Sequence, residues 1–236
     1  KKPSGNAPIR ADLRHYKPKK TPFMPVEFAV AAYRFGHSQI RAGYRINATT
    51  GAAFFQPQPG ERNLNGFRPL LPVLKIDWQR FFDIPGSQTT PQRSQRIDTQ
   101  ITAPLFNLPF GGPPVSLAER NLLRGKALKL PSGQVVAKEM GFTPLSNIEL
   151  GLADDPGWDG QAPLWYYVLK EAELQHQGVH LGDVGGRIVA ETLVGLLAHN
   201  RDSFFRLDPN FEPAPPIASE PGVFRVGDLL KFAGAA

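Results

Sequence analysis

Glu27-Phe28-Ala29-Val30-Ala31-Ala32-Tyr33-Arg34-Phe35-Gly36-His37-Ser38-Gln39-Ile40 sets one arginine and one histidine into an otherwise largely apolar run. Read as an α-helix at about 100° per residue, the run projects Arg34, His37 and the following Arg41 from one face. Phe28, Val30, Ala31, Ala32 and Phe35 cover most of the rest, the pattern of a helix buried nearly all round. Thr21-Pro-Phe-Met-Pro-Val precedes it, with proline suited to a first turn and Glu27 well placed at a helix N-terminus. The sequence therefore predicts a core helix running to about Arg45.

A guanidinium on such a helix costs several kcal/mol unless it is paired, and no carboxylate stands three or four residues from Arg34. Its partner must come from elsewhere. Haem would satisfy both polar groups, with a propionate on Arg34 and its iron on His37 Nε2. Gly36 would let a flat macrocycle approach the backbone, at about 1 kcal/mol of helix propensity. A lone histidine on an apolar helix is more often a hydrogen-bonded core residue than a ligand, so the run alone does not decide the matter.

The same residues resemble the proximal-histidine helix of the animal-type haem peroxidase superfamily, including its bacterial branch. The resemblance implies that His37 is the axial iron ligand and that Arg34 contacts a haem propionate. Ser116-Leu-Ala-Glu-Arg-Asn-Leu-Leu-Arg-Gly, followed by Leu130-Pro-Ser-Gly, is similar to a second family segment. There an asparagine accepts the proximal histidine's Nδ1 hydrogen and an arginine three residues on reaches a propionate, which implies those roles for Asn121 and Arg124. An axial imidazole needs such an acceptor to fix its tautomer and ring plane, and Asn121 suits this better than Glu119. Without the family, Asn121 would read as a surface or capping residue. A third stretch, from Leu181-Gly-Asp-Val-Gly-Gly-Arg to Leu196-Leu-Ala-His-Asn-Arg-Asp-Ser-Phe-Phe, resembles a late structural helix of the family.

The implied fold is mainly α, a loop-rich helical haem peroxidase fold with little or no β. It is expected as the C-terminal, proximal portion of one domain over residues 22–236, behind a basic arm or linker at 1–21. The implied activity is oxidation of a small-molecule donor with hydrogen peroxide. Peroxide cleavage also needs a distal base and cation. No convincing distal motif precedes His37, and His15 sits in a basic, proline-flanked segment unsuited to the task. An N-terminal half or companion chain is expected to supply those groups and any calcium site, and this chain alone is expected to be inactive. Two other readings stand: a fatty-acid oxygenase and a non-catalytic interaction subunit. Cyclooxygenase-like members carry a tyrosine three residues before the proximal histidine, where Arg34 stands here and Tyr33 is one residue too far back, so peroxidase is favoured.

Composition sets outer bounds. The 24 prolines and 23 glycines among 236 residues imply long irregular connections between helices. The absence of cysteine excludes disulfides, thiolate haem ligation and Fe–S clusters while leaving the compartment open, with a secreted location favoured. No apolar run long enough for a membrane span is visible. Residues 1–20 hold seven cations against Asp12, so the net charge of +6 is concentrated there. Without interleaved aromatics or a recognised motif, that arm is not read as binding nucleic acid. Asp154, Asp155 and Asp159 lack calcium-loop spacing, and His176 and His180 flank Gly178, which argues against a helical metal pair. Helices are expected at about 117–128, 132–140, 162–176, 184–200 and 226–233, with a short one at 77–83 and irregular chain over 47–76 and 85–115.

Overall fold

A computed structural model describes residues 13–55, 63–66, 68–153, 157–158, 161–208 and 210–235. The acidic cluster of Asp154, Asp155 and Asp159 and most of the basic arm lie outside these residues. The described chain is mainly helical, its one sheet a two-stranded antiparallel pairing of β1 (Gly43–Arg45) with β2 (Gly51–Ala53). Seven α-helices follow: α1 (Leu117–Ala127), α2 (Gly133–Glu139), α3 (Asn147–Leu150), α4 (Leu164–His176), α5 (Asp183–His199), α6 (Phe204–Leu207) and α7 (Val226–Phe232). Among the described residues no helix is long and apolar enough to cross a membrane.

The chain divides into two compact units. One comprises residues 1–40 and 95–209 and the other residues 41–94 and 210–236. In the second unit the hairpin turns on Asn47, whose Oδ1 accepts the Thr50 N–H at 2.9 Å while its amide donates to Val73 O and Lys75 O. Ile46, Ala52 and Leu74 form the small core this turn encloses, and α7 is held by Asp228, which accepts the Arg225 and Ser219 N–H groups at 2.8 and 2.9 Å.

In the first unit the core helix is α4 and not the run at 27–37. Leu164, Trp165, Tyr167, Val168, Leu169 and Ala172 are all buried, so α4 is apolar on nearly every side and the other elements pack around it. Ser116 and Ser132 cap α1 and α2, each accepting a backbone N–H three residues on at 3.3 Å. Gly133 then opens α2 directly against the Tyr167 ring, so closely that a Cβ there would fall 2.0 Å from Cγ.

The segment at 27–37 departs from the expected α-helix in length and in winding. It is a π-helical turn over Glu27–Ala31 followed by 3-10 turns over Ala32–His37, joined where Ala31 takes φ −123°, ψ −76°. Helical structure stops at His37, so Arg41 shares no helix face with it; instead Arg41 Nη1 donates to Arg93 O at 2.9 Å. Nor is the run buried all round: Phe28, Val30, Ala31 and Ala32 are buried, but Tyr33 is 55% exposed and stacks on Phe28. The expected helix at 77–83 shrinks to a single 3-10 turn, Trp78–Arg80.

Candidate functional site

The 3-10 winding brings the polar residues of the first unit together. With about three residues per turn, positions i and i+3 eclipse, so Arg34 and His37 stand one above the other on the same side. Both reach Asn121, which projects from the middle of α1 and is 1% exposed. Asn121 Nδ2 lies 2.8 Å from His37 Nδ1, and Asn121 Oδ1 accepts from Arg34 Nη1 at 3.1 Å. The expected direction of the amide–imidazole contact is thus reversed: the amine end of Asn121, not its carbonyl, faces the ring. Arg34 Nε also donates to Ala29 O at 3.1 Å, and Trp165 Nε1 donates to Arg34 O at 3.2 Å, which ties the segment to α4.

The electrostatics are those of an uncompensated cationic site. Burial, and then the like charge of Arg124, push Arg34 below its ordinary pKa. Burial, and then the Arg34 guanidinium, push His37 below the usual imidazole range, which favours the neutral ring. Arg124, one helical turn after Asn121, is exposed. Among the described residues neither arginine is ion-paired with a carboxylate, and His37 Nε2 has no hydrogen-bond partner. His37 is half-buried, and a Cβ on the preceding Gly36 would meet nothing within 4 Å, so the backbone there is open on the Gly36 side.

Other sequence candidates are not part of this cluster. The His176 and His180 rings lie with centroids 3.8 Å apart, but among the described residues no group of three or more His, Cys, Asp or Glu gathers to hold a metal ion. His15 is fixed through its backbone, whose N–H donates to Glu191 at 2.8 Å. A cleft of about 800 Å³ between α1 and the start of α4 is walled by Val30, Asn121, Lys126, Trp158 and Trp165, but Arg34, His37 and Arg124 do not line it.

Two buried carboxylates of the first unit escaped the sequence reading, as did Asp228 of the second. Glu171 on α4 and Glu191 on α5 are 1% and 6% exposed, and both serve backbone N–H groups of other segments. A glutamate inside the run Tyr166-Tyr-Val-Leu-Lys-Glu-Ala is the signal that could have flagged the first. No protein-family profile matches the chain, and no curated protein matches it.

Proposed function

We propose that this chain is the proximal portion of a haem peroxidase, in which His37 ligates iron, Asn121 orients the imidazole, and Arg34 and Arg124 receive the propionates. The observation that carries this reading is the convergence of Arg34, His37 and Asn121, from segments 84 residues apart in the chain, on one buried amide. A haem-free core gains little from the partly buried Arg34 guanidinium, held without a carboxylate beside a neutral imidazole, where apolar packing would be as stable or more so.

The residues fit the group. An imidazole kept neutral, with Nε2 unpartnered and the backbone open at Gly36, suits a planar metal complex, and two arginines without a carboxylate partner suit its carboxylates. Bound there, haem would supply the redox chemistry by which peroxide oxidises a donor. The chain's own part is to anchor the macrocycle through Arg34 and Arg124, to hold the ring plane of His37, and to keep its Nδ1 contact buried. The distal base and cation come in this proposal from another segment or a companion chain.

The test is the absorption spectrum of the chain with ferric protoporphyrin IX. A Soret band typical of histidine ligation is expected, together with its loss in His37→Ala. An unchanged band in a folded His37→Ala protein would sink the reading.

A further inference from the structure

Two contacts of one amide decide which nitrogen of His37 carries the proton. A guanidinium can only donate, so the Asn121 atom 3.1 Å from Arg34 Nη1 is the carbonyl oxygen. The other end of the amide, 2.8 Å from His37 Nδ1, is then the amine, which also donates. Nδ1 must accept with its lone pair, and the neutral ring carries its hydrogen on Nε2. An Nε2–H nitrogen has no lone pair to offer a metal.

We infer that Arg34, acting through Asn121, holds His37 in a tautomer that cannot ligate, and that a carboxylate bound at Arg34 is what makes His37 a ligand. The site then takes a metalloporphyrin with a free carboxylate in preference to the same ring esterified. The steps balance without any redox change. A carboxylate oxygen accepts the Nη1 hydrogen and frees Asn121 Oδ1. The amide turns half a revolution about Cβ–Cγ, so that Oδ1 faces the ring and Nδ2 faces the incoming carboxylate, which accepts from it. Water protonates the imidazole at Nδ1 as the amide turns, Nδ1 then donates to Oδ1, and the ring returns its Nε2 proton to water. The Nε2 lone pair is left open. Asn121 is 1% exposed, and with Arg34 or a carboxylate on one side and the imidazole on the other, these are the two settings in which protein or ligand satisfies both ends of the amide. Arg34 is thus a positioning residue as well as an anchor.

The preference for a free carboxylate rests on the haem proposal; the tautomer assignment does not. The full chain, ¹⁵N-labelled at histidine, is examined by proton–nitrogen correlation at neutral pH, with the His37 signals assigned by His37→Gln. The Nε2–H form is expected to dominate in the wild type and to lose its dominance in Arg34→Leu. Nδ1–H dominance in the wild type, or an identical tautomer ratio in the two proteins, would overturn the inference. Should Arg34→Leu not fold, Asn121→Asp reads the same link, because two accepting oxygens must draw the hydrogen to Nδ1; persistence of Nε2–H there overturns it equally. In the second arm, ferric protoporphyrin IX is expected to bind through His37 roughly tenfold or more tighter than its dimethyl ester, with the ratio collapsing in Arg34→Leu. A wild-type ratio near one overturns the carboxylate requirement. If neither porphyrin binds through His37 while the tautomer result holds, the haem proposal fails and the Arg34–Asn121–His37 linkage stands.

Discussion

Glu171 and Val184 are joined carboxylate to backbone: both Glu171 oxygens accept the Val184 N–H, at 3.0 and 3.1 Å, and Oε2 also accepts the Gly185 N–H at 3.0 Å. The cap of α5 therefore comes from α4, since Gly182 at the N-cap position offers no side chain of its own. Glu171→Ala leaves those N–H groups buried and unpaired and is expected to cost about 2–4 kcal/mol in urea unfolding. The pH dependence separates charge from hydrogen bonding. Burial raises the Glu171 pKa, more than the Gly185 and Val184 N–H groups lower it. The folded protein then keeps this proton to higher pH than the unfolded chain, so its contribution to stability declines as pH rises past the ordinary glutamate value, about 4.3, and levels off above the folded pKa. Glu171→Gln, which does not titrate, should remove that decline.

Glu191 behaves in the opposite sense on the neighbouring helix. Burial pushes its pKa up, but the N–H groups of His15, Tyr16 and Arg14 and the Arg187 guanidinium, 3.2 Å away, outweigh it and hold the carboxyl below its ordinary value. Its stabilisation is therefore fully present above the unfolded glutamate pKa and is lost as pH falls through the folded one. Through Glu191 the chain at 13–23 is clamped to α5. Tyr16 packs against Gly195, where a Cβ would fall 2.2 Å from the ring, and its hydroxyl donates to Phe23 O at 2.7 Å. Glu191→Gln is expected to cost about 1–2 kcal/mol at neutral pH and nothing at a pH below the folded pKa. Trypsin should cut after Lys19 and Lys20 faster in the variant; an unchanged rate would show that Tyr16 alone suffices.

How much of this was legible in the sequence depends on which force fixes each part. The helices α1, α2, α4, α5 and α7 fall within about two residues of expectation, because apolar periodicity and serine caps mark them directly. The winding at 27–37 was not legible: apolar residues spaced by three and four fit π, α and 3-10 turns alike, and nothing in Val30-Ala-Ala marks Ala31 as the joint. The hairpin was missed because Gly43-Tyr-Arg and Gly51-Ala-Ala lack alternation, and its register comes from the Asn47 turn. The juxtaposition of His37 with Asn121 was expected only through the family resemblance. The direction of their hydrogen bond was hidden from it, since that depends on Arg34 finding the far side of the same amide.

Arg34 should be readable in the titration of His37. Burial first, and Arg34 second, depress its pKa, so the folded protein resists protonation and loses stability as pH falls through the unfolded histidine value, about 6.5, until the folded pKa is reached. Arg34→Gln removes the like charge while keeping an amide that can donate to Asn121. It is expected to raise the His37 pKa, followed by proton NMR of the ring, and to shrink that loss. A pKa unmoved by the substitution would mean that burial alone sets it.

Gly133 offers the sharpest packing test. Its missing side chain is what lets α2 start against the Tyr167 ring, where an added Cβ would sit 2.0 Å from Cγ and 2.2 Å from Cβ. Tyr167 cannot move aside cheaply. It is 1% exposed in the first turn of α4, and its hydroxyl accepts the Leu145 N–H at 3.1 Å, so a shift of the ring also opens the loop between α2 and α3. On helix propensity alone Gly133→Ala would stabilise α2 by up to about 1 kcal/mol, whereas overpacking a buried aromatic costs about 1–3 kcal/mol and more where backbone must yield. The clash should win, giving a net loss of about 2 kcal/mol or more and a lower Tm in a thermal melt. Tyr167→Leu in the same background makes room for the new methyl, so the double variant should be less unstable than the sum of the two single changes. Simple additivity would mean that the two residues do not press on one another in solution.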